Sequence, residues 1–428
     1  MTASGGLTAE STVVVVGASL AGWRAVEALR TEGFEGAISL VGEERHLPYD
    51  RPPLSKQVLA GTWPPEKAVL ADKRRSSEHR VHEVLGRRAV RLDVEGRTVE
   101  LDDGTVLDGD AVVITTGATP RRLPGTEGLG QRDGLFTLRT LDDSLALRAA
   151  VTAVDAPRVV VIGAGFIGAE VASTCATLGC RVTVLEALDI PLRNVLGPVI
   201  GAHCGALHGE HGVELRTGVA VLGVRKPTAE DEVGGLDARA ASALVVELGG
   251  GEVLRADVVV VGIGVVPATE WLTGSGLTVE NGVVCDDRLF AADGIVAAGD
   301  IARWSWRHDR VEELIRIEHW EVAAGAGRAA ALSLLAGRDD APSFAPVPYF
   351  WSDQYGIRFQ VLGNPGGDDE VEIVDGSLRE GRFVALFGRA GRLRAVMAIG
   401  KPRQLMGFRP LLEAGSSWDD ALGHLAGT

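Results

Sequence analysis

Cysteine is scarce in this sequence, and the cysteines that are present do not form a metal or disulfide motif. The four cysteines stand at positions 175, 180, 204 and 285, without a Cys-x-x-Cys pair and without histidines at metal-ligand spacing. Zinc sites and disulfide-stapled proteins both depend on such spacing. The sequence therefore predicts no metal site, no disulfide framework and a reducing compartment.

Long hydrophobic runs and an excess of positive charge are also lacking. The longest apolar runs, such as "VVVVGIGVVPA" at 258–268, fall short of the about 20 residues that a membrane helix needs. The start, "MTASGGLTAE", lacks the basic segment and apolar core of a secretory signal, so we expect a cytoplasmic protein. A formal net charge of −15 argues against nucleic acid binding. The net charge does not exclude an acidic protein partner, because salt screens charges beyond about 8 Å and such a partner responds to a local patch more than to the total charge.

Lysine is scarce too, with five lysines against 38 arginines, and this makes Lys56 conspicuous. Lys56 ends the stretch "YDRPPLSK" at 49–56, which follows the apolar segment "AISLVGEE". Pro52 and Pro53 stiffen the chain just before the lysine. A surface loop with a solvated ammonium is one interpretation. A cation held at a functional site is the other.

The N-terminal part of the chain carries a dinucleotide-binding pattern. Four valines at 13–16 lack polar alternation, as in a parallel strand covered on both faces, and they run into "GASLAG" at 17–22. Small residues at such a strand-to-helix turn let backbone amides approach a pyrophosphate. A further strand, "AISLVG", ends about twenty residues later at Glu43, where an acid can bind an adenosine ribose.

The same pattern occurs a second time. The segment "PRVVVIGAGFIGAEVASTCATLGCRVTVLE" at 157–186 repeats the strand, glycine turn, helix and strand, and it ends in Glu186. Each copy closes alike, with "LDGDAVVITTGATP" at 107–120 and "LRADVVVVGIGVVP" at 254–267. Two dinucleotide folds in one chain point to FAD and a nicotinamide cofactor, between which hydride can pass.

Seven segments stand in the order and roughly the spacing of a known family: "YDRPPLSK", "TTGATP", "GAGFIGAEVA", "VVVVGIGVVP", "AAGDIA", "RIEHW" and "FWSDQYG". The chain resembles the FAD-dependent pyridine nucleotide-disulfide oxidoreductases, and among them the ferredoxin reductases of oxygenase systems. The resemblance implies an α/β fold with two Rossmann-like domains and a C-terminal α+β interface domain. It places the FAD-binding domain at 1–120 and 263–335, the NAD-binding domain at 121–262 and the C-terminal domain at 336–428.

The resemblance also assigns site residues. It puts Lys56 beside the flavin ring and pairs it with Glu170, which we expect in the first turn of the second glycine-turn helix; dipole stabilisation of that helix is the alternative role of Glu170. Asp300 is expected on the ribityl chain, as a helix cap, or in both roles. Arg139 is expected near the flavin phosphates or on the surface, and Trp320 against the isoalloxazine or in simple packing. The remaining expected cofactor contacts are Gly17, Ser19, Ala21, Gly22, Glu43, Val90, Thr116, Gly117, Gly163, Gly165, Ile167, Gly168, Glu186, Gly264 and Glu318.

Glu186 predicts a preference for NADH, because a carboxylate binds the ribose 2′-hydroxyl and repels a 2′-phosphate. The nearby Arg193 is the residue that could soften this preference. A Cys-x-x-x-x-Cys pair is the reactive dithiol of disulfide reductases in this superfamily, but theirs follows the first glycine turn and Cys175 and Cys180 follow the second. We interpret these two cysteines as small buried hydrophobes.

Without a dithiol in that place, the resemblance favours electron transfer from NADH through FAD to a small iron–sulfur ferredoxin. A rubredoxin, a quinone or oxygen is the alternative acceptor, and a redox-sensing flavoprotein similar to apoptosis-inducing factor is the alternative class. The chain is expected to act as a monomer or a homodimer. Residues 225–242 are interpreted as a solvated loop without a function.

Overall fold

The structure is a computed structural model that describes residues 6–71, 73–228, 244–308 and 311–424. The strands before residue 140 are β1 (Thr12–Val16), β2 (Ala37–Gly42), β3 (Val81–Leu85), β4 (Ala89–Asp93), β5 (Thr98–Leu101), β6 (Val106–Asp108), β7 (Ala111–Ile114), β8 (Ala118–Pro120) and β9 (Leu135–Phe136). The strands between 158 and 267 are β10 (Arg158–Ile162), β11 (Arg181–Leu185), β12 (Glu214–Arg216), β13 (Val221–Arg225), β14 (Leu244–Leu248), β15 (Val253–Ala256), β16 (Val258–Val261) and β17 (Val265–Pro267). The later strands are β18 (Val283–Cys285), β19 (Phe290–Ala292), β20 (Ile295–Ala297), β21 (Ala302–His308), β22 (Val311–Ile315), β23 (Tyr349–Gln354), β24 (Ile357–Gly363), β25 (Glu370–Ser377), β26 (Arg382–Arg389) and β27 (Arg392–Ile399).

The α-helices are α1 (Leu20–Thr31), α2 (Gln57–Ala60), α3 (Lys73–Glu78), α4 (Leu141–Val151), α5 (Phe166–Thr177), α6 (Arg193–Glu210), α7 (Trp320–Ala336), α8 (Pro402–Gly407), α9 (Arg409–Glu413) and α10 (Trp418–His424). Helix α6 is kinked at Gly197, which precedes Pro198. Short 3-10 helices include Pro52–Ser55 and Gly299–Ile301.

The first large sheet draws its strands from two distant parts of the chain. Its order is β19-β20-β7-β1-β2-β3, so β19 and β20 join strands that precede residue 120. Strand β1 runs parallel to both β2 and β7, and its valines are 0–2% exposed. Full burial on both faces explains why this strand shows no polar alternation.

The second large sheet repeats this design. Its order is β12-β11-β10-β16-β9, and β10 lies parallel to β11 and β16. Strands β8 and β17, which follow the last strand of each repeat, pair antiparallel with each other through Thr119 and Val266. This small ribbon ties the two repeats together at the glycine turns that the sequence predicts.

The C-terminal region is an antiparallel sheet with the order β23-β24-β27-β26-β25. One face packs on apolar residues of α6, and the other face packs on α8 to α10. The mixed α/β fold with two parallel dinucleotide-type sheets and a C-terminal α+β region is therefore confirmed. Most of the predicted loop at 225–242 lies outside the described residues, which resume at Leu244 after residue 228.

Candidate active site

The first glycine turn is shaped by close backbone contacts. A Cβ atom placed on Gly17 would lie 2.1 Å from the carbonyl oxygen of Thr115, and one on Gly22 would lie 2.1 Å from the carbonyl oxygen of Gly17. Gly17 also has a φ of +123°, which side-chain-bearing residues rarely adopt. Ser19 is extended at the N-cap of α1. The turn therefore presents a tight backbone at the N-terminus of α1, the geometry that receives a pyrophosphate.

The second predicted FAD motif lies against the first. A Cβ atom placed on Gly299 would lie 3.1 Å from that of Ala21, and one on Gly327 of α7 would lie 2.2 Å from the carbonyl oxygen of Ala21. Asp300 follows Gly299 in the 3-10 helix Gly299–Ile301, which leads directly into β21. Asp300 does not cap an α-helix. Contact with the ribityl chain is therefore the expected role that is compatible with the fold.

Arg139 and Asp300 are 161 residues apart in sequence and form an ion pair, with Nη2 of Arg139 2.9 Å from Oδ2 of Asp300. Gly117 adjoins this pair, because a Cβ atom on it would lie 3.2 Å from Nη2 of Arg139. Arg316 donates from Nη1 to the backbone oxygen of Asp300 at 3.0 Å. The fold thus brings together Gly117, Arg139 and Asp300, three residues predicted to contact the flavin cofactor.

Two buried nitrogens beside this cluster lack a hydrogen-bond partner among the described residues. They are Nε of Arg316 and Nδ1 of His319. Burial lowers the pKa of His319 to about 4, so its ring is neutral at neutral pH, although the charge of Asp300 opposes this effect. Buried polar groups in proteins are nearly always paired. Unpaired nitrogens next to a glycine cradle therefore fit a polar ligand such as a flavin dinucleotide.

The stretch that carries Lys56 is anchored before it reaches the lysine. Arg51 donates from Nη2 to Oε1 of Glu44 at 2.8 Å and from Nη1 to the hydroxyl of Tyr49 at 3.2 Å. The same hydroxyl accepts a hydrogen bond from the backbone of Leu141, and burial raises the pKa of Tyr49, which keeps the phenol protonated. Pro52 then starts the 3-10 helix that ends at Ser55. Lys56 is held in a defined place and is not on a loose loop.

Lys56 and Glu170 form a buried ion pair. Nζ of Lys56 lies 2.7 Å from Oε2 of Glu170, and the side chains are 12% and 3% exposed. Ser55 donates to the same carboxylate oxygen at 2.5 Å. The other oxygen accepts from Oγ of Ser352 at 2.7 Å and from the backbone of Asp353 at 3.3 Å. Four donors therefore surround one carboxylate.

The expected position of Glu170 within its helix was wrong. Helix α5 begins at Phe166, two residues before Gly168, so Glu170 lies in the second turn and no acidic residue occupies the first. The helix dipole acts mainly on the first turn. Pairing with Lys56 therefore accounts for Glu170 better than dipole stabilisation does.

The second glycine turn differs from the first in one respect. A Cβ atom on Gly168 would lie 2.0 Å from the carbonyl oxygen of Gly163, whereas one on Gly165 would meet nothing within 4 Å. Gly163 has a φ of +101° and Gly165 has a φ of −72°. Gly163 and Gly168 are required by the backbone, and Gly165 leaves open space at the start of α5. That space fits a nucleotide that must approach the backbone closely.

Glu186 faces this turn from the end of β11. Its Oε2 accepts from the backbone of Ala164 at 2.8 Å, and its Oε1 accepts from the backbone of Leu188 at 2.9 Å. The carboxylate is thus fixed at the edge of the turn. Arg193 donates from Nη1 to Oδ2 of Asp189 at 2.5 Å, and this bond lowers the pKa of Asp189. Arg193 is therefore held by an acid that lies four residues earlier in the chain, before α6 begins.

The other predicted contacts are placed as follows. Trp320 begins α7 and donates from Nε1 to Oδ1 of Asp50 at 2.7 Å, and Glu318 is paired with Arg316 at 2.6 Å. Thr116 donates to the backbone oxygen of Ala268 at 3.0 Å. The structure does not bring together the rest of the predicted set through direct contacts: Glu43 is exposed after β2, Val90 is 37% exposed in β4, Ile167 is 50% exposed in α5, and Gly264 has a φ of +93° after β16.

Cys175 and Cys180 are free thiols. Cys175 is buried in the core beneath β10, and a hydrogen bond with Cys180, together with burial, raises the pKa of Cys175 well above its usual value. The two cysteines therefore contribute to the hydrophobic core between α5 and the second large sheet. Within the described residues, no group of His, Cys, Asp or Glu side chains could hold a metal ion. The described helices also include none that is long and apolar enough to cross a membrane.

Ser55 and Ser352 were not among the predicted site residues, although both stand inside motifs of the sequence. The alternation of "YFWSDQ" in β23, where every second residue is buried, was the available signal for Ser352. A polar residue on the inward-facing phase of a strand must find a buried partner. The identity of that partner could not be read from the strand.

Comparison with known proteins agrees with this geometry. Residues 11–327 match the pyridine nucleotide-disulphide oxidoreductase family, and residues 349–423 match the reductase C-terminal family. The ferredoxin reductase component of chlorobenzene dioxygenase from Cupriavidus sp. (strain PS12) is 37% identical over 414 residues, which cover 96% of this chain and 94% of that protein. The ferredoxin–NAD(+) reductase component of the anthranilate 1,2-dioxygenase system from Burkholderia cepacia is 37% identical over 408 residues, which cover 95% of each.

A solved structure shows the same similarity in three dimensions. A chain of the covalent putidaredoxin reductase–putidaredoxin complex superposes with a TM-score of 0.87 at 31% identity, and the match covers 98% of this chain and 99% of that chain. Both glycine turns lie within residues 11–327 and the C-terminal sheet lies within residues 349–423, the two segments that match the families. The chain therefore belongs to the pyridine nucleotide-disulphide oxidoreductase family, as an enzyme that uses FAD and NAD(H).

Proposed function

We propose that the protein is an NADH-dependent ferredoxin reductase that passes electrons through FAD to a two-iron two-sulfur ferredoxin of an oxygenase system. The observation that carries the proposal is the residue found after the first glycine-turn helix. Where disulfide reductases of this superfamily hold a reactive dithiol, this chain has Lys56, buried and paired with Glu170. A site without a dithiol favours an acceptor of single electrons, and the printed names of the relatives agree with a ferredoxin.

Bound FAD and nicotinamide would supply hydride transfer to a flavin that can release electrons one at a time. Lys56 would hold a compact positive charge beside the flavin and would stabilise the negative charge that reduction produces. Glu170 holds the ammonium in place through the 2.7 Å contact. The cluster of Arg139, Asp300 and Arg316 would hold polar groups of FAD.

We assign NADH as the preferred donor because Glu186 is fixed at the second glycine turn and Arg193 is held by Asp189. We also propose that residues 1–120 and 263–335 form the FAD-binding domain, 121–262 the NAD-binding domain and 336–428 the C-terminal domain. The order of the first sheet, in which β19 and β20 join β7, supports the discontinuous FAD-binding domain. Four free thiols support the reducing cytoplasm as the compartment.

The proposal is tested by the acceptor. Purified protein loaded with FAD is mixed with NADH and an oxidised two-iron two-sulfur ferredoxin, and bleaching of the ferredoxin is followed by its visible absorbance. We expect rapid reduction of the ferredoxin, and slow turnover with a rubredoxin, with a quinone or with oxygen alone. Faster turnover with one of those acceptors would replace the ferredoxin. Slow turnover with all of them would favour a redox-sensing flavoprotein.

A further inference from the structure

The C-terminal sheet meets α5 through the open edge of β23. This strand lies at the edge of its sheet and pairs with β24 on one side. On the other side, the backbone of Asp353 donates to Oε1 of Glu170 at 3.3 Å, and the backbone of Tyr355, in the turn after β23, donates to Oγ of Ser173 at 2.7 Å. Glu170 and Ser173 are three residues apart and share a face of α5. The helix thus covers an edge that would otherwise expose unpaired backbone groups.

The inward-facing side chains of β23 continue this contact. Ser352 is 0% exposed, and its hydroxyl donates to Oε1 of Glu170 at 2.7 Å. Gln354 is 1% exposed and donates from Nε2 to Oγ of Ser352 at 3.1 Å. Because Ser352 already accepts from this amide, its own proton is directed at the carboxylate. A buried chain of bonds therefore runs from Gln354 through Ser352 and Glu170 to Lys56.

The two oxygens of Glu170 are held from different parts of the fold. Oε2 accepts from Ser55 and Lys56, which belong to the first repeat, and Oε1 accepts from two donors of β23. The last torsion of a glutamate is broad, so hydrogen bonds decide how its carboxylate is oriented. Donors on one oxygen alone would leave the plane of the carboxylate free to turn.

We propose that Ser352 is a positioning residue for the reduction of bound FAD by NADH. Its hydroxyl orients Glu170, and Glu170 in turn holds the ammonium of Lys56 where charge develops. The C-terminal region then contributes to the reductive step as well as to any contact with an electron acceptor. This inference rests on the role proposed above for Lys56 and Glu170.

The test uses the full-length protein loaded with FAD. Ser352→Ala removes the hydroxyl, and Ser173→Ala is the matched control, because the hydroxyl of Ser173 also joins α5 to the C-terminal region but is not one of the donors to Glu170. Stopped-flow absorbance gives the rate of flavin reduction at saturating NADH and the NADH concentration at half-saturation. The midpoint potential of the flavin and the FAD content are measured on the same samples.

We expect Ser352→Ala to slow flavin reduction about tenfold, the factor that about 1.4 kcal/mol produces, with unchanged half-saturation. The midpoint potential should become more negative, because the ammonium is held less firmly. Ser173→Ala should keep the wild-type rate and potential. Ser352→Ala should slow flavin reduction less in the Glu170→Gln variant than in the wild-type protein, since both changes act on the same hydrogen-bonded group. Gln354→Met removes the donor that orients the hydroxyl and serves as the test if Ser352→Ala folds poorly. It should also slow flavin reduction and make the midpoint potential more negative.

Wild-type rate and potential in both Ser352→Ala and Gln354→Met would overturn the inference. An equal loss in Ser173→Ala would also overturn it, because attachment of the C-terminal region would then explain the effect. Lys56→Met separates this inference from its premise: a wild-type rate in that variant would refute the role of the ion pair itself. Failure of ferredoxin reduction with normal flavin reduction would refute only the proposed acceptor.

Discussion

Nζ of Lys56 lies 2.7 Å from Oε2 of Glu170, although the two residues are 114 positions apart in the chain. Each comes from a different repeat, so the contact exists only when both repeats have folded and docked. Buried ion pairs of this kind lose about 3–5 kcal/mol when one partner is removed, because the other charge is left without compensation. The pair is therefore a constraint on the structure as well as a proposed part of the chemistry.

Removal of either charge should slow reduction of the flavin by NADH more than it weakens FAD binding. We expect Lys56→Met and Glu170→Gln each to lower the rate at saturating NADH by at least about tenfold, since the ammonium stabilises charge that develops in the reaction. Stopped-flow reduction of both variants and of the double variant measures this. The double variant should be little slower than the worse single variant. Additive effects would mean that the two residues act independently.

The two glycines that open α5 should respond differently to alanine. Gly165→Ala is expected to keep the wild-type Tm and FAD content, because its Cβ atom meets nothing within 4 Å, but to raise the KM for NADH about tenfold by obstructing the approach of the nucleotide. Gly168→Ala is the matched control and should lower Tm, since its Cβ atom would lie 2.0 Å from the carbonyl oxygen of Gly163. An unchanged KM in Gly165→Ala would mean that the nucleotide does not bind over this turn.

NADH should be preferred over NADPH by at least about tenfold in kcat/KM, because Glu186 would face the 2′-phosphate of NADPH. Asp189→Asn is expected to raise the relative use of NADPH, since it removes one negative charge and loosens Arg193. The double variant Asp189→Asn/Arg193→Gln should lose that gain. Steady-state kinetics with both donors decide the matter, and equal use of the two by wild type would contradict the prediction.

Stability should depend on pH through His208. Burial, with a smaller effect from His211, lowers the pKa of His208 to about 4, and its Nδ1 lies 2.7 Å from the hydroxyl of Tyr355. Burial also raises the pKa of Tyr355, so the phenol donates and the neutral imidazole accepts. Below its ordinary pKa of about 6.5 the histidine is protonated in the unfolded chain but not in the fold. The stability that His208 contributes is therefore complete above pH 6.5 and is lost as the pH falls to about 4.

His208→Gln separates the contribution of His208 to the pH dependence of stability from that of other groups. At pH 7.5 the variant should have a lower Tm than wild type, and the difference should shrink as the pH falls from 6.5 to about 4. His211→Gln is the control, because His211 is exposed and stacks on Tyr355 without replacing the buried bond. A Tm difference that stays constant over this range would contradict the assignment.

The repeated fold was predictable because its signals are local. The valines of β1 and β10 lack alternation because both faces of a parallel sheet are covered, and the glycines at 17 and 163 adopt positive φ at the turns that follow. The acids at the ends of β2 and β11 follow from the same spacing. The family resemblance, carried by motifs in a fixed order, added Lys56 and Glu170 as partners.

What only the tertiary structure decided is how residues of one type divide into different roles. Gly165 and Gly168 are both glycines of one motif. A Cβ atom on Gly165 would meet open space, whereas one on Gly168 would meet a carbonyl oxygen. Arg193 follows Glu186 by seven residues, but the acid that its guanidinium binds in the fold is Asp189. Ser352 lies in a strand with an ordinary alternating pattern, and its contact with Glu170 depends on how the edge of β23 packs on α5. Local sequence determines backbone conformation and burial phase, whereas partners far apart in the chain are selected by packing between elements.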